Sequence, residues 1–223
     1  MENLIFPSIS DLLKIQQKEN HERLVIINDN YENIICQYHK TDMENYLGNN
    51  IVVRETVAKK LSKVGDELSR INKNYKLKIV YGYRHLVVQV KYFNEQKVKF
   101  KRMYPKDTDE ELNRRTHMLV ANPRVAGHPT GGAVDVTITT PYGDLNMGTK
   151  IADFSDIERI QTFSSDISER AHVNRITLHD LMLLEGFAPF YGEWWHFSFG
   201  DVEWALFYGL QSSLYSQKKF SLY

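Results

Sequence analysis

Only one cysteine, Cys36, occurs among the 223 residues. An intrachain disulfide is therefore impossible, and a zinc site built from thiolates is excluded. Neither sign of charge prevails: 28 Lys+Arg face 28 Asp+Glu, with no basic stripe, so nucleic acid is not an expected partner. No apolar run approaches the ~18 uninterrupted residues of a membrane span, and no membrane association is expected. Met1-Glu2-Asn3-Leu4 is not a basic stretch leading into an apolar one, so no signal peptide is expected and a cytoplasmic protein is the default. Repeats, low-complexity tracts and linkers are missing too. That favours one domain over residues 1–223, with 1–34 as an N-terminal extension and hairpin start and 207–223 as a C-terminal tail.

What is present suits a packed α+β domain with a central antiparallel sheet and flanking helices. Apolar residues make up 42% of the chain, enough for a sizeable core. Leu24-Val25-Ile26-Ile27 and Ile34-Ile35-Cys36-Gln37-Tyr38 are β-rich runs around a polar segment and predict a hairpin. Val53, Val57, Leu61, Val64, Leu68 and Ile71 recur at helical spacing, with Lys59, Lys60, Lys63, Asp66, Glu67 and Arg70 on the opposite face. Residues 77–84 alternate as a strand that delivers Arg84 at its end, and 86–103 read as a helix. Thr108-Asp109-Glu110-Glu111 has the form of a capping box, predicting a helix to about Val120. Ala133 to Thr139 is a strand whose Ala133, Asp135 and Thr137 share one face. A short helix is predicted over Thr177–Glu185, with Gly186 as its stop, and a last strand over Glu193–Phe199.

The chemistry concentrates in two stretches, Gly127-His128-Pro129-Thr130-Gly131-Gly132-Ala133-Val134-Asp135 and Gly192-Glu193-Trp194-Trp195-His196-Phe197. An acid and an imidazole buried among indoles need partners, because an unpaired buried polar group costs several kcal/mol. A metal ion satisfies both. His128, Asp135 and His196 are proper ligands for zinc, and Glu193 is the candidate base beside it. Residues three apart on a flat strand face opposite ways, so Glu193 must lie in a turn or bulge before the strand. His128 and Asp135 carry the same parity problem, which Pro129-Thr130-Gly131-Gly132 can resolve by turning. A lone histidine is ordinarily a hydrogen-bonded core or surface residue, and His21, His39, His85, His117, His172 and His179 are read that way.

These residues resemble the zinc-dependent D-alanyl-D-alanine dipeptidases, the family that includes the vancomycin-resistance dipeptidase. The family's Ser-x-His-x-x-Gly-x-Ala-x-Asp motif is met by Ala126 to Asp135 except at its first position, and its Glu-Trp-Trp-His motif is met in full by Glu193 to His196. Gly82-Tyr83-Arg84, Met147-Gly148-Thr149, Asn174-Arg175, Gly186-Phe187 and Phe199-Gly200-Asp201 extend the likeness over roughly residues 35–210. The resemblance implies one Zn2+ on His128, Asp135 and His196, Glu193 as general base, and Arg84 steadying the oxyanion. It implies a fold shared with D,D-carboxypeptidases and hedgehog domains, and a D,D-dipeptide as substrate. Asp153, Tyr83 and Trp194 stand as candidate substrate contacts. Two positions depart from the family: Ala126 replaces the motif serine, and Ala152 stands where an acid is expected, with Asp153 one residue later. Both groups are expected to hold the substrate's ammonium. A carboxypeptidase acting on peptidoglycan-derived peptides, or a catalytically silent zinc module, are the alternative readings.

Overall fold

The computed structural model describes residues 6–28, 31–38 and 40–223. In chain order the strands are β1 (Leu24–Ile26), β2 (Ile34–Cys36), β3 (Val52–Arg54), β4 (Lys76–Tyr81), β5 (Ala133–Thr140), β6 (Gly143–Asp144), β7 (Ala188–Pro189) and β8 (His196–Ser198). The α-helices are α1 (Ile9–Leu12), α2 (Glu44–Leu47), α3 (Glu55–Ile71), α4 (Leu86–Met103), α5 (Asp109–His117), α6 (Glu169–Leu184) and α7 (Val202–Phe207). The main sheet runs β2-β4-β5-β8-β7, with β6 folding back on β5; only the β2–β4 pair is parallel. This is a mixed α+β architecture, as the sequence indicates.

Strand β5 is the spine. Its residues are buried from Ala133 to Thr139, and it lies between β4 and β8. Val134, Val136 and Ile138 enter the main core with Val57, Leu61, Val64 and Leu68 of α3 and Leu178 and Met182 of α6. Ala133, Asp135 and Thr137 occupy the other face. Helix α3 follows its predicted apolar spacing through Leu68. Val53 is drawn into β3, however, and Ile71 at the frayed end is 57% exposed. The capping box at Thr108 and Glu111 is present on both sides.

Three predicted elements differ. The hairpin over residues 24–38 does not form: β1 pairs antiparallel with β3, and β2 pairs parallel with β4. Two three-residue strands make a marginal hairpin, and each finds a partner anchored in the core instead. Asp29 and Asn30 of the expected turn lie outside the described residues. Helix α5 stops at His117 because the His117 ring accepts the Asn122 amide at 3.0 Å and closes the chain into a turn. Helix α6 starts at Glu169, eight residues before the predicted Thr177, with the Ser168 hydroxyl accepting the Ala171 amide. Thr177 is no cap, since its hydroxyl donates to Val173 O within the helix. The early turns escaped the apolar pattern because α6 buries Arg175, 1% exposed, on its inner face.

The C-terminal residues pack on the core. Tyr215 is buried, its amide donates to Gly200 O, the Lys218 amide donates to Pro129 O, and the Leu222 amide donates to Tyr46 O.

Candidate metal centre

Three local devices turn His128, Asp135 and His196 toward one point. His128 opens a single 3-10 turn, His128–Thr130, and Gly131 closes it at φ +75, a left-handed conformation that favours glycine. That turn resolves the parity conflict between His128 and Asp135. Asp135 is paired with His196 across the β5–β8 ladder, so the two side chains emerge side by side on the same face. Strand β8 starts at His196, leaving Glu193 to Trp195 in the preceding turn, where the His196 amide donates to Glu193 O at 3.1 Å. The predicted strand over Glu193–Phe199 is therefore shorter, and Glu193 lies in the turn that the parity argument requires.

One ligand atom from each of His128, Asp135 and His196 lies within 4.8 Å of the others. His128 Nδ1 is 2.8 Å from Gly82 O; that contact requires a proton on Nδ1 and leaves Nε2 with a lone pair, 3.5 Å from Asp135 Oδ1. His196 Nδ1 is 3.0 Å from the same oxygen, and its Nε2 is 3.9 Å from a carboxylate oxygen of Glu203. Burial holds the His128 pKa down at about 4, so this imidazole is neutral. Burial also opposes charge on His196, but the Asp135 hydrogen bond and the nearby acids raise its pKa to about 9. Burial opposes the Asp135 carboxylate as well, yet the two imidazoles keep its pKa far below the ordinary range. Burial, with Asp135 and Glu203 adding repulsion, lifts Glu193 to about 8. Asp135, Glu193 and Glu203 thus share the cleft with His196 and the Arg84 guanidinium. The donor set fits a divalent cation: two nitrogens and one carboxylate oxygen converging on one point.

Arg84 lines the same cleft, as do Glu193, Trp195 and Glu203. Its guanidinium stacks 4.5 Å above the Tyr81 ring and donates through Nη1 to Gln89 Oε1 at 2.8 Å. Arg84 Nε is buried with no hydrogen-bond partner among the described residues.

The structure brings together His128, Asp135, His196, Glu193 and Arg84. It does not bring Asp153, Tyr83 or Trp194 to the cleft. The Asp153 carboxylate accepts the Ser155 amide in a surface turn. The Tyr83 hydroxyl donates to Lys218 O and accepts the Phe220 amide, which commits it to the C-terminal tail. Trp194 is in the core, with its indole N–H donating to Thr149 Oγ1. Trp195 forms the wall instead, edge-on to Phe154. Ala126 and Ala152 both line the cleft, giving it methyl groups at the two departures from the motif. Glu203, Gln89 and Lys40 were missed by sequence reasoning. Glu203 had a signal, an acid seven residues past His196 in an apolar segment; Lys40 had none. Of the histidines read as ordinary, His85 accepts the Val87 amide and His179 pairs with Asp180, while His39 lies outside the described residues.

A mixed α+β domain in which two histidines and an aspartate that could hold a metal ion converge on the floor of a cleft is the class that fold and site define. Residues 33–216 match the D-ala-D-ala dipeptidase family of M15 peptidases, and the chain belongs to that family. It is similar to the D-alanyl-D-alanine dipeptidase of Escherichia coli (strain K12), 34% identical over 74 residues that make up 32% of this chain and 37% of that protein. The corresponding dipeptidase of Synechocystis sp. is 33% identical over 88 residues, 35% of this chain and 36% of that protein. The matched stretch therefore spans little more than a third of each relative. Among solved structures, VanYB in complex with D-alanine-D-alanine is similar over 90% of this chain and 94% of that one, at 17% identity and a TM-score of 0.45.

Proposed function

We propose that this protein is a zinc-dependent D,D-peptidase that hydrolyses D-alanyl-D-alanine or a similar D,D-dipeptide. The observation that carries the reading is the convergence of His128, Asp135 and His196 within 4.8 Å, in a chain of this family, with Glu193 and Arg84 in the same cleft. His128, Asp135 and His196 would hold the zinc ion, which would supply Lewis acidity at the floor of the cleft. Glu193 removes a proton from the attacking water and passes it to the nitrogen of the leaving amino acid. Burial holds Glu193 at about 8, and a cation bound beside it would lower that value and favour the carboxylate, the form a base needs. Arg84 Nε donates to the oxygen on which negative charge develops, while Gln89 fixes the guanidinium. His128 is held by Gly82 O, and Glu203 faces the outer nitrogen of His196. Trp195, 1% exposed, keeps bulk water from one side of the cleft.

The test is D-alanine release from D-alanyl-D-alanine by zinc-loaded protein. Glu193→Ala should lower kcat about 10²–10⁴-fold while zinc stoichiometry stays at one. A Glu193→Ala protein that keeps most of its activity overturns the assignment. A second reading, carboxypeptidase action on a peptidyl substrate, draws support from the apolar Ala126, Ala152 and Phe154 wall. Preference for an N-acetylated over a free D,D-dipeptide selects it.

A further inference from the structure

The cleft holds a second cation that the mechanism above leaves without a task. Lys40 lies along the wall, its Nζ 4.9 Å from the centre of the Tyr92 ring and 5.5 Å from that of Tyr81. The Arg84 guanidinium sits over the same two rings, at 5.4 and 4.5 Å. Among the described residues, Lys40 Nζ has no hydrogen bond and no ion pair; the two ring faces are what hold it. The nearest acid on its own segment, Asp42, is already spoken for. Its carboxylate accepts the hydroxyls of Tyr38 and Tyr81 at 2.6 Å and of Tyr92 at 2.5 Å. Asp42 therefore fixes the orientation of the rings and enriches their faces with negative charge, which suits cations above them. Asp42, Asp135 and Glu193 attract the Lys40 ammonium through space, but none of them makes an ion pair with it.

Lys40 and Arg84 both lie against the Tyr81 and Tyr92 rings and repel each other, and an anion bound at Lys40 offsets that repulsion. Loss of hydration, and then the Arg84 guanidinium, already hold the Lys40 pKa below the usual lysine value. A peptide cleaved one residue from its end brings two anionic groups: the oxygen that becomes negative during attack, and one residue away its terminal carboxylate. Arg84 answers the first. We propose that Lys40 binds the second, the free C-terminal carboxylate of the substrate, and so restricts this site to carboxyl-terminal residues. The inference rests on the peptidase reading and deepens it, and it holds for a dipeptide and a peptidyl substrate alike.

The experiment compares D-alanyl-D-alanine with its C-terminal amide on zinc-loaded wild type, Lys40→Met and Lys40→Arg, with thermal melts and zinc content as folding controls. Lys40→Met keeps the methylene stem and removes the charge. It should raise KM for the free acid about 10–100-fold, with kcat within about threefold and little change in KM for the amide. Lys40→Arg should recover most of the loss. Equal shifts for acid and amide, or an unmoved KM, overturn the proposal. A calorimetric arm titrates both ligands into Glu193→Gln protein with and without Lys40→Met. Binding of the acid that depends on Lys40, in a wild type that shows no Glu193-dependent turnover, keeps the carboxylate site and removes the peptidase reading. A protein that cleaves with Glu193 dependence but binds acid and amide alike keeps the peptidase reading and removes the role of Lys40. Absence of both binding and turnover overturns both.

Discussion

Two clusters of buried charge sit on opposite sides of the His128–Gly131 turn, and they are built in opposite ways. On one side Arg54, fully buried, has all five of its side-chain N–H groups matched. Nε donates to Thr130 O, Nη1 to Glu19 Oε1 and Glu22 O, and Nη2 to Glu19 Oε2 and Ser216 O. Its guanidinium also lies 4.7 Å from the centre of the Tyr215 ring, and its backbone amide donates to Gly131 O. One side chain thereby ties the N-terminal segment, the ligand-bearing turn and the C-terminal tail together. On the other side Asp135, Glu193 and Glu203 share a cleft with His196 and Arg84, the Arg84 Nε has no hydrogen-bond partner among the described residues, and Glu193 sits far above its ordinary pKa. Charge with every hydrogen bond filled builds structure; buried charge with perturbed acids and an unfilled donor is left for a ligand.

The largest effect that tests this contrast comes from Arg54→Met. Removing the guanidinium takes two hydrogen bonds from the Glu19 carboxylate and leaves three carbonyls without their donor, so the variant should lose about 3–5 kcal/mol of folding free energy, read from urea or thermal melts. A loss below about 1 kcal/mol would break the contrast.

Glu193→Gln should act in the other direction. In chelator-treated protein the charged form of Glu193 is disfavoured by burial first and by Asp135 and Glu203 next. A neutral amide removes that penalty, so stability at pH 7–8 should rise by about 1–2 kcal/mol while turnover is lost. The sign fixes the pH profile. With a folded pKa of about 8 against 4.5 for the free side chain, the folded state holds the extra proton. Wild-type stability therefore falls as pH rises from 4.5 to 8, and the advantage of the glutamine should be absent below pH 4.5 and full above pH 8. A gain that is the same at every pH would refute the electrostatic cause.

The same division explains what could be read from the sequence. Helix α3, strands β4 and β5 and the capping box were legible because their neighbours in space repeat at short spacing along the chain. The ligand set was legible because the motif residues lie within ten positions of each other in two runs, and the parity of Glu193 and His196 even required the turn. The pairing of β1 with β3 was not legible, since it depends on Arg54 reaching Glu19 and Ser216 across the molecule. The start of α6 was hidden by a buried arginine that pattern reading assigns to solvent. Asp153 stands one residue past the position where the resemblance expects an acid, and a one-residue shift takes its carboxylate into a surface turn, while Tyr83 and Trp194 point into the C-terminal tail and the core. Glu203 and Lys40 reach the cleft through tertiary packing alone.

The smallest effect separates the two clusters by acid. Burial opposes ionisation of Glu19, but hydrogen bonds from Arg54 and Ser216 outweigh it and bring its pKa from 4.5 to about 2. A carboxylate whose folded pKa is depressed contributes stability above its unfolded pKa, and that contribution fades as pH falls toward the folded value. Wild-type protein should therefore lose stability between pH 4.5 and 2 that Glu19→Gln never had. The amide still accepts one hydrogen bond from Arg54, and the Glu19 side chain keeps 14% of its surface in solvent, where screening weakens the pair. The difference between the two proteins should be about 1 kcal/mol at pH 6 and close to zero at pH 2. Melts at one-unit intervals measure it, and added salt should shrink the gap only modestly, because the Arg54 end of the pair has no solvent contact. A gap that persists at pH 2 would mean that Glu19 contributes through shape and hydrogen bonding, and the Arg54 cluster would then owe its stability to geometry more than to charge.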